Sequence, residues 1–202
     1  MDLSPVTLQG AAVRLEPLTL VHVGPLAEVG LDPSLWALAQ HVIRTRAEMQ
    51  AYVEEALAEQ QGGTALPFAT VEQASGQVVG STRFANASHE HRRVEIGWTW
   101  IAPAWQRSAV NTEAKFLMLR HAFERMEARR VEFKTSTLNE RSRRAMRRLG
   151  ATEEGVLRQH MIRPDGTSRD SVYFSVLDDE WPAVKSRLVG MMAPRVPERR
   201  EM

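Results

Sequence analysis

The chain has 202 residues, 43% of them hydrophobic, and its 26 lysines and arginines nearly balance 25 aspartates and glutamates; this suits one domain with a proper core and leaves no global field to recruit nucleic acid or an acidic membrane. The absence of cysteine excludes a thiol nucleophile, a disulfide framework and thiolate metal ligands. No run approaches the roughly 20 apolar residues of a membrane span, and Met1-Asp2-Leu3-Ser4-Pro5 lacks the basic and apolar parts of a signal peptide, so the expectation is a soluble, cytoplasmic protein.

Val13-Arg14-Leu15-Glu16-Pro17 alternates apolar and polar residues and predicts a first strand, with a short helix over 20–29. Thr45 and Glu48 have capping-box spacing, Met49, Tyr52, Val53, Ala56 and Leu57 recur on one face, and Gly62-Gly63 stops that second helix. Residues 68–72 and 78–84 read as a hairpin, and 93–101 as a third antiparallel strand on which Val94, Ile96, Trp98 and Trp100 share one core-facing side by simple alternation.

Phe116, Leu119, Phe123 and Met126 lie at helical spacing, and Val131, Phe133 and Thr135 then alternate with polar residues. That change of period marks a crossover, placing the strands before and after the helix parallel in one sheet. Asn139 suits the N-cap of a helix over 140–149 and Gly150 its C′ position. A last hairpin, 155–163 with 168–177, turns at Pro164-Asp165-Gly166, and a short helix follows Trp181. The folded domain is expected to end at 192, with 193–202 a disordered tail.

The segment 98–115 carries the most chemistry. A strand ends at Pro103, a polar turn runs from Trp105 to Asn111, and a helix opens directly from it, so several backbone N–H groups converge on one spot suited to an anion. Arg141, Arg144 and Arg148 share one face of the later helix and would suit a phosphate or RNA; overall neutrality and the lack of interleaved aromatics argue against nucleic acid. His89-Glu90-His91 has no third ligand, and no metal is assigned.

The order of elements over about 10–181, with Val13-Arg14-Leu15-Glu16-Pro17-Leu18 followed by His22, Glu95-Ile96-Gly97-Trp98 before the turn, and 173–181 near the end, resembles the GNAT superfamily of acetyl-coenzyme A dependent N-acetyltransferases, in particular its Rim-type ribosomal-protein branch. The resemblance implies an α/β fold: a mixed, mostly antiparallel sheet with one splayed parallel strand pair and flanking helices. It implies acetyl-CoA as cosubstrate, a primary amine as acceptor (a protein N-terminus or a small molecule), no metal, and a possible homodimer.

Residue by residue, the family's pyrophosphate loop, usually Arg/Gln-x-x-Gly-x-Gly/Ala, falls on Gln106, Arg107, Ser108, Ala109, Val110, Asn111 and Thr112, with Ala109 and Asn111 at the small positions and Asn111 expected to cap the helix. The strand edge facing the thioester would be Thr99 to Ile101, with Asn139 and Ser142 on the opposite wall. Asn139 keeps two readings, N-cap and coenzyme ligand. Glu95 is the candidate for proton removal, against the commoner reading of a half-exposed strand carboxylate. The tyrosine that many relatives use to protonate the thiolate falls on Met146, leaving Tyr173, Ser142 or water to replace it. Trp36 and Trp105, in loops beside the expected slot, are candidates for the acceptor pocket. Two alternatives stand beside an acetyltransferase: a catalytically silent CoA-binding module, and an RNA-associated protein using the helix from Arg141 to Arg148.

Overall fold

Strands β1 (Leu8–Gln9), β2 (Val13–Pro17), β3 (Leu66–Glu72), β4 (Val78–Ser88), β5 (Arg93–Ile101), β6 (Arg130–Ser136), β7 (Thr152–Ile162) and β8 (Ser168–Leu177) form one sheet in the order β1-β2-β3-β4-β5-β6-β8-β7. The structure, a computed structural model, describes residues 1–193; the tail expected to be disordered lies outside the described residues except for Ala193. Helices α1 (Val23–Gly30) and α2 (Arg46–Gln61) cover one face, and α3 (Ala109–Glu124), α4 (Glu140–Leu149) and α5 (Trp181–Met192) the other. The result is the mixed α/β arrangement that the sequence pattern predicts.

Local chemistry accounts for the boundaries. Thr45 caps α2 by accepting the Glu48 N–H at 3.2 Å while the Glu48 carboxylate accepts the Thr45 N–H at 2.9 Å, the reciprocal box read from the spacing. Gly150 ends α4 at φ 104°, a left-handed conformation that costs glycine little. The α3 face that enters the core is Val110, Ala114, Leu117, Met118, Leu119 and Ala122. Phe116 and Phe123 are only half-buried and lie beside Trp181 of α5, with Phe123 stacked at 5.4 Å between centroids.

One contact anchors α3 that the sequence did not disclose. The Glu113 carboxylate accepts the N–H groups of Ala11, Ala12 and Val13 at 2.6–2.9 Å, fastening the first turn of α3 to the β1–β2 turn. The helix that leaves the anion loop is thereby fixed at its start.

The parallel pair is short. β5 and β6 stay in register only from Arg93↔Arg130 to Glu95↔Glu132, after which β6 continues against β8 alone. Residues 96–101 and 133–136 therefore splay into a wedge. The other irregularity is a bulge on β5: Ser81 faces Trp100 and Arg83 faces Gly97, so Trp98 and Thr99 together oppose Thr82, with Trp98 at φ 49°.

That bulge corrects the alternation expected for β5. Val94 and Ile96 pack with α3, whereas Trp100 packs with Met49, Trp36 and Ala69 against α1 and α2, and Trp98 borders that second cluster. One extra residue has exchanged the two faces.

Candidate active site

The loop from Gln106 to Thr112 sits at the mouth of the wedge. Ser108, not Asn111, caps α3: its Oγ accepts the Val110 N–H at 3.3 Å and donates to the Trp105 carbonyl at 2.6 Å. Ala109 and Asn111 are the first and third residues of the helix, so neither requires a glycine conformation; the left-handed residue of the loop is Arg107, at φ 63°. A chain with no glycine in this loop can thus still present the first-turn amides of a 16-residue helix, which carry the positive end of its dipole.

Two arginines of α4 reach that loop. Arg141 donates to the Gln106 Oε1 at 2.5 Å, and Arg148 to the Thr112 Oγ1 at 3.2 Å, while the Gln106 Nε2 donates to the Ile101 carbonyl at 2.8 Å. Asn139 accepts the Ser142 N–H at 3.0 Å as the N-cap of α4. The structure brings Gln106 to Thr112, Ile101, Asn139 and Ser142 to one end of the wedge. Arg143 and Arg147 are instead engaged with Glu140 and Glu153, so the arginine face is partly neutralised within the chain.

Glu95 projects to the α1–α2 side and is 3% exposed, which replaces the half-exposed surface reading. Asn86, turned at φ 50°, donates to its Oε2 at 2.8 Å, and the Lys134 ammonium lies 3.4 Å away. The other oxygen, Oε1, has no hydrogen-bond partner among the described residues, and Gly97, on the same side, places no side chain against it: a Cβ there would stand 3.0 Å away. Glu132, its register partner, is bound by Arg93 at 3.1 Å and Arg130 at 2.7 Å. Of the two neighbouring carboxylates, Glu95 is the one with an oxygen available to a ligand.

Around Glu95 stands a polar wall built from one sheet face. Arg83, 1% exposed, lies between the rings of Tyr52 and Trp98 at 5.1 and 4.9 Å and pairs with Glu59 at 2.8 Å. Tyr173 sits directly across from Lys134 in the β6–β8 register, with His160 at 5.6 Å between ring centroids. Burial, reinforced by the negative charges of Glu95 and Glu132, raises the Tyr173 pKa and keeps its hydroxyl protonated. Met146, by contrast, is a core residue, 6% exposed.

On the α3 side of the bulge, Lys115 donates to Thr99 Oγ1 at 2.6 Å and Thr82 Oγ1 at 3.3 Å. Burial alone pushes its pKa down to about 7. Sequence reading passed over this lysine because helix spacing does not reveal a charge turned inward.

The two tryptophans divide. Trp36 is 5% exposed, donates its indole N–H to the Gly30 carbonyl at 2.8 Å and packs on Trp100 and Tyr52; it is core rather than pocket lining, because the loop after α1 folds back over α2. Trp105 is half-buried, packed beside the main core just before the anion loop.

The sheet order, the wedge and an anion loop at a helix start together define a GNAT-type acyltransferase fold. The sequence model of the acetyltransferase (GNAT) domain matches residues 12–152, and the chain belongs to that family. It is 34% identical over 110 residues, 54% of its length, to the Bacillus subtilis protein named putative ribosomal N-acetyltransferase YdaF. The chain matches less than two thirds of the length of such curated relatives, 59% in that case. The crystal structure of a putative acetyltransferase from T. thermophilus superposes with a TM-score of 0.87 at 37% identity, covering 96% of this chain and all 100% of that one. RimJ of Mycobacterium smegmatis, solved in complex with CoA-disulfide, shares the fold with a TM-score of 0.80 at 23% identity over 94% of this chain and 96% of its own.

Proposed function

We propose that the protein transfers the acetyl group of acetyl-CoA to a primary amine by direct attack in a ternary complex. The observation that carries this reading is the pairing of two features across one wedge: a helix start with unclaimed amides at its mouth, and a buried carboxylate with one unpartnered oxygen at its apex. RimJ of M. smegmatis, with CoA-disulfide bound to the same fold, supports the choice of coenzyme.

In this reading the amides of Ser108, Ala109 and Asn111, flanked by Arg141 and Arg148, hold the pyrophosphate. The β5 edge over 99–101, which has lost its β6 partner, donates N–H to the thioester carbonyl and stabilises the oxyanion. Glu95 takes the proton of the attacking amine, directly or through a water, as the N–C bond forms; the C–S bond breaks, and the departing thiolate is protonated by Tyr173, Ser142 or water. No protein nucleophile is used.

The test is thiol release from acetyl-CoA with a panel of amines. Amine-dependent release supports the reading; binding of acetyl-CoA by thermal shift with no release from any amine would leave only a CoA-binding module.

A further inference from the structure

The turn at 163–170 belongs to a region where the sequence shows no charge preference, but the structure buries one of its arginines and half-buries the other. Arg169 is 6% exposed, and the Nε atoms of both Arg163 and Arg169 are buried without a partner. Ser171 Oγ, two residues along β8 on the same face as Arg169, is likewise buried and unpartnered. Arg163 reaches across β8 to Ser136, Nη2 to Oγ 3.5 Å, and Ser136 is the register partner of Ser171. Four polar side chains thus converge from β6, β8 and the hairpin turn.

No carboxylate answers them among the described residues: neither arginine forms an ion pair there, and Asp170 points its Oδ1 to the Gln159 N–H at 2.7 Å. Burial is the larger cause that lowers the Arg169 and His160 pKa values, followed by Arg163 for the first and by Lys134 and Arg169 for the second, while Glu95 acts on both in the opposite sense. Buried N–H donors left unpaired cost free energy, and guanidinium forks match oxyanions. Lys134 and Tyr173 stand between this corner and Glu95 on one sheet face; Ser136 is four residues along β6 from Glu132, the partner of Glu95, or roughly 13 Å along the strand.

We propose that Arg163, Arg169, Ser136 and Ser171 form a subsite for an oxyanion, carboxylate or phosphate, carried by the amine acceptor at the end away from its amine. This rests on the amine-acetylation reading and deepens it. The acceptor class is an amine with an anionic group several bonds distant, as in an ω-aminocarboxylate or a short acidic peptide, rather than a plain or polycationic amine.

The experiment compares a ladder of ω-aminocarboxylates and ω-aminoalkyl phosphates with the matching alkylamines in thiol release, for wild type, Arg169→Gln and an exposed control, Arg158→Gln. We expect one chain length at which an anionic acceptor exceeds its alkylamine at least tenfold in kcat/KM. Arg169→Gln should abolish that preference mainly through KM, while Arg158→Gln keeps it. The series that wins separates carboxylate from phosphate. Alkylamines as good as their anionic partners at every length, or a preference that survives in Arg169→Gln, overturn the subsite while leaving the transferase reading intact. If no amine turns over, calorimetry with the same compounds on acetyl-CoA-loaded protein decides: heat that disappears in Arg169→Gln supports the subsite and rejects the transferase, and no heat, as for a corner filled by water only, rejects the subsite. Should Arg169→Gln not fold, Arg163→Gln and Ser171→Ala carry the same comparison.

Discussion

Lys115 and Thr99 form a 2.6 Å hydrogen bond beneath the β5 bulge, joining the helix that starts at the anion loop to the strand edge of the wedge. The lysine has no carboxylate partner among the described residues, and burial brings its pKa from 10.5 to about 7. Between those values the unfolded chain binds more protons at this site than the folded one, so its contribution makes stability rise with pH from about 7 to 10.5. The total is on the order of 5 kcal/mol. Lys115→Met should therefore raise the Tm at pH 7 and below and flatten its rise towards alkaline pH. Thermal melts at several pH values check this; a variant whose melting curve tracks that of the wild type at every pH would mean that the amine is not held neutral.

Removing the Glu95 carboxylate without changing its shape isolates proton transfer. Glu95→Gln should lower kcat by roughly 100-fold or more and leave the KM for acetyl-CoA near its wild-type value, because the coenzyme is held at the other end of the wedge. The defect should narrow as pH rises, since hydroxide can then take the proton that the amine loses as the N–C bond forms. A pH profile of kcat for both proteins reads this directly. A defect of constant size across pH would assign Glu95 to structure rather than to proton removal.

Gly97 allows a finer test of the same carboxylate. Its φ lies outside the left-handed region, so alanine is acceptable to the backbone, and the smaller unfolded-state entropy favours it by about 0.4–1 kcal/mol. Yet its Cβ would meet Glu95 Oε1 at 3.0 Å and displace it by a few tenths of an ångström. Gly97→Ala should keep or slightly raise the Tm while reducing kcat by roughly tenfold. Parallel melting and turnover measurements distinguish this from a folding defect, in which both would fall.

Elements whose boundaries follow from local chemistry were legible in the sequence: the α2 capping box, the α3 crossover, Asn139 and Gly150 at the ends of α4, and the Pro164-Asp165-Gly166 turn. The site was less so, for two physical reasons. A bulge has no sequence period of its own, and the one at Trp98 and Thr99 exchanged the faces of everything downstream on β5. Burial of charge depends on which element lies overhead, so nothing in the sequence marks Lys115, Arg83 and Arg169 as buried until the sheet is assembled. Trp36 failed for the complementary reason, a loop aromatic drawn into the core by its indole N–H and two ring neighbours.

The arginine face of α4 separates coenzyme binding from an RNA role. Arg141 and Arg148 touch Gln106 and Thr112, whereas Arg147 is paired with Glu153. If the helix serves the anion loop, Arg141→Ala and Arg148→Ala should each weaken binding of coenzyme A by about fivefold, close to 1 kcal/mol for exposed charge contacts. Arg147→Ala should leave it unchanged. The loss should shrink in high salt, because exposed charges are screened within roughly 10 Å at 0.1 M ionic strength. Titrations of coenzyme A at two salt concentrations measure both effects. An RNA-binding helix would respond differently: all three substitutions would weaken RNA binding alike, with a steep salt slope set by the number of phosphates neutralised, and coenzyme A affinity would not move.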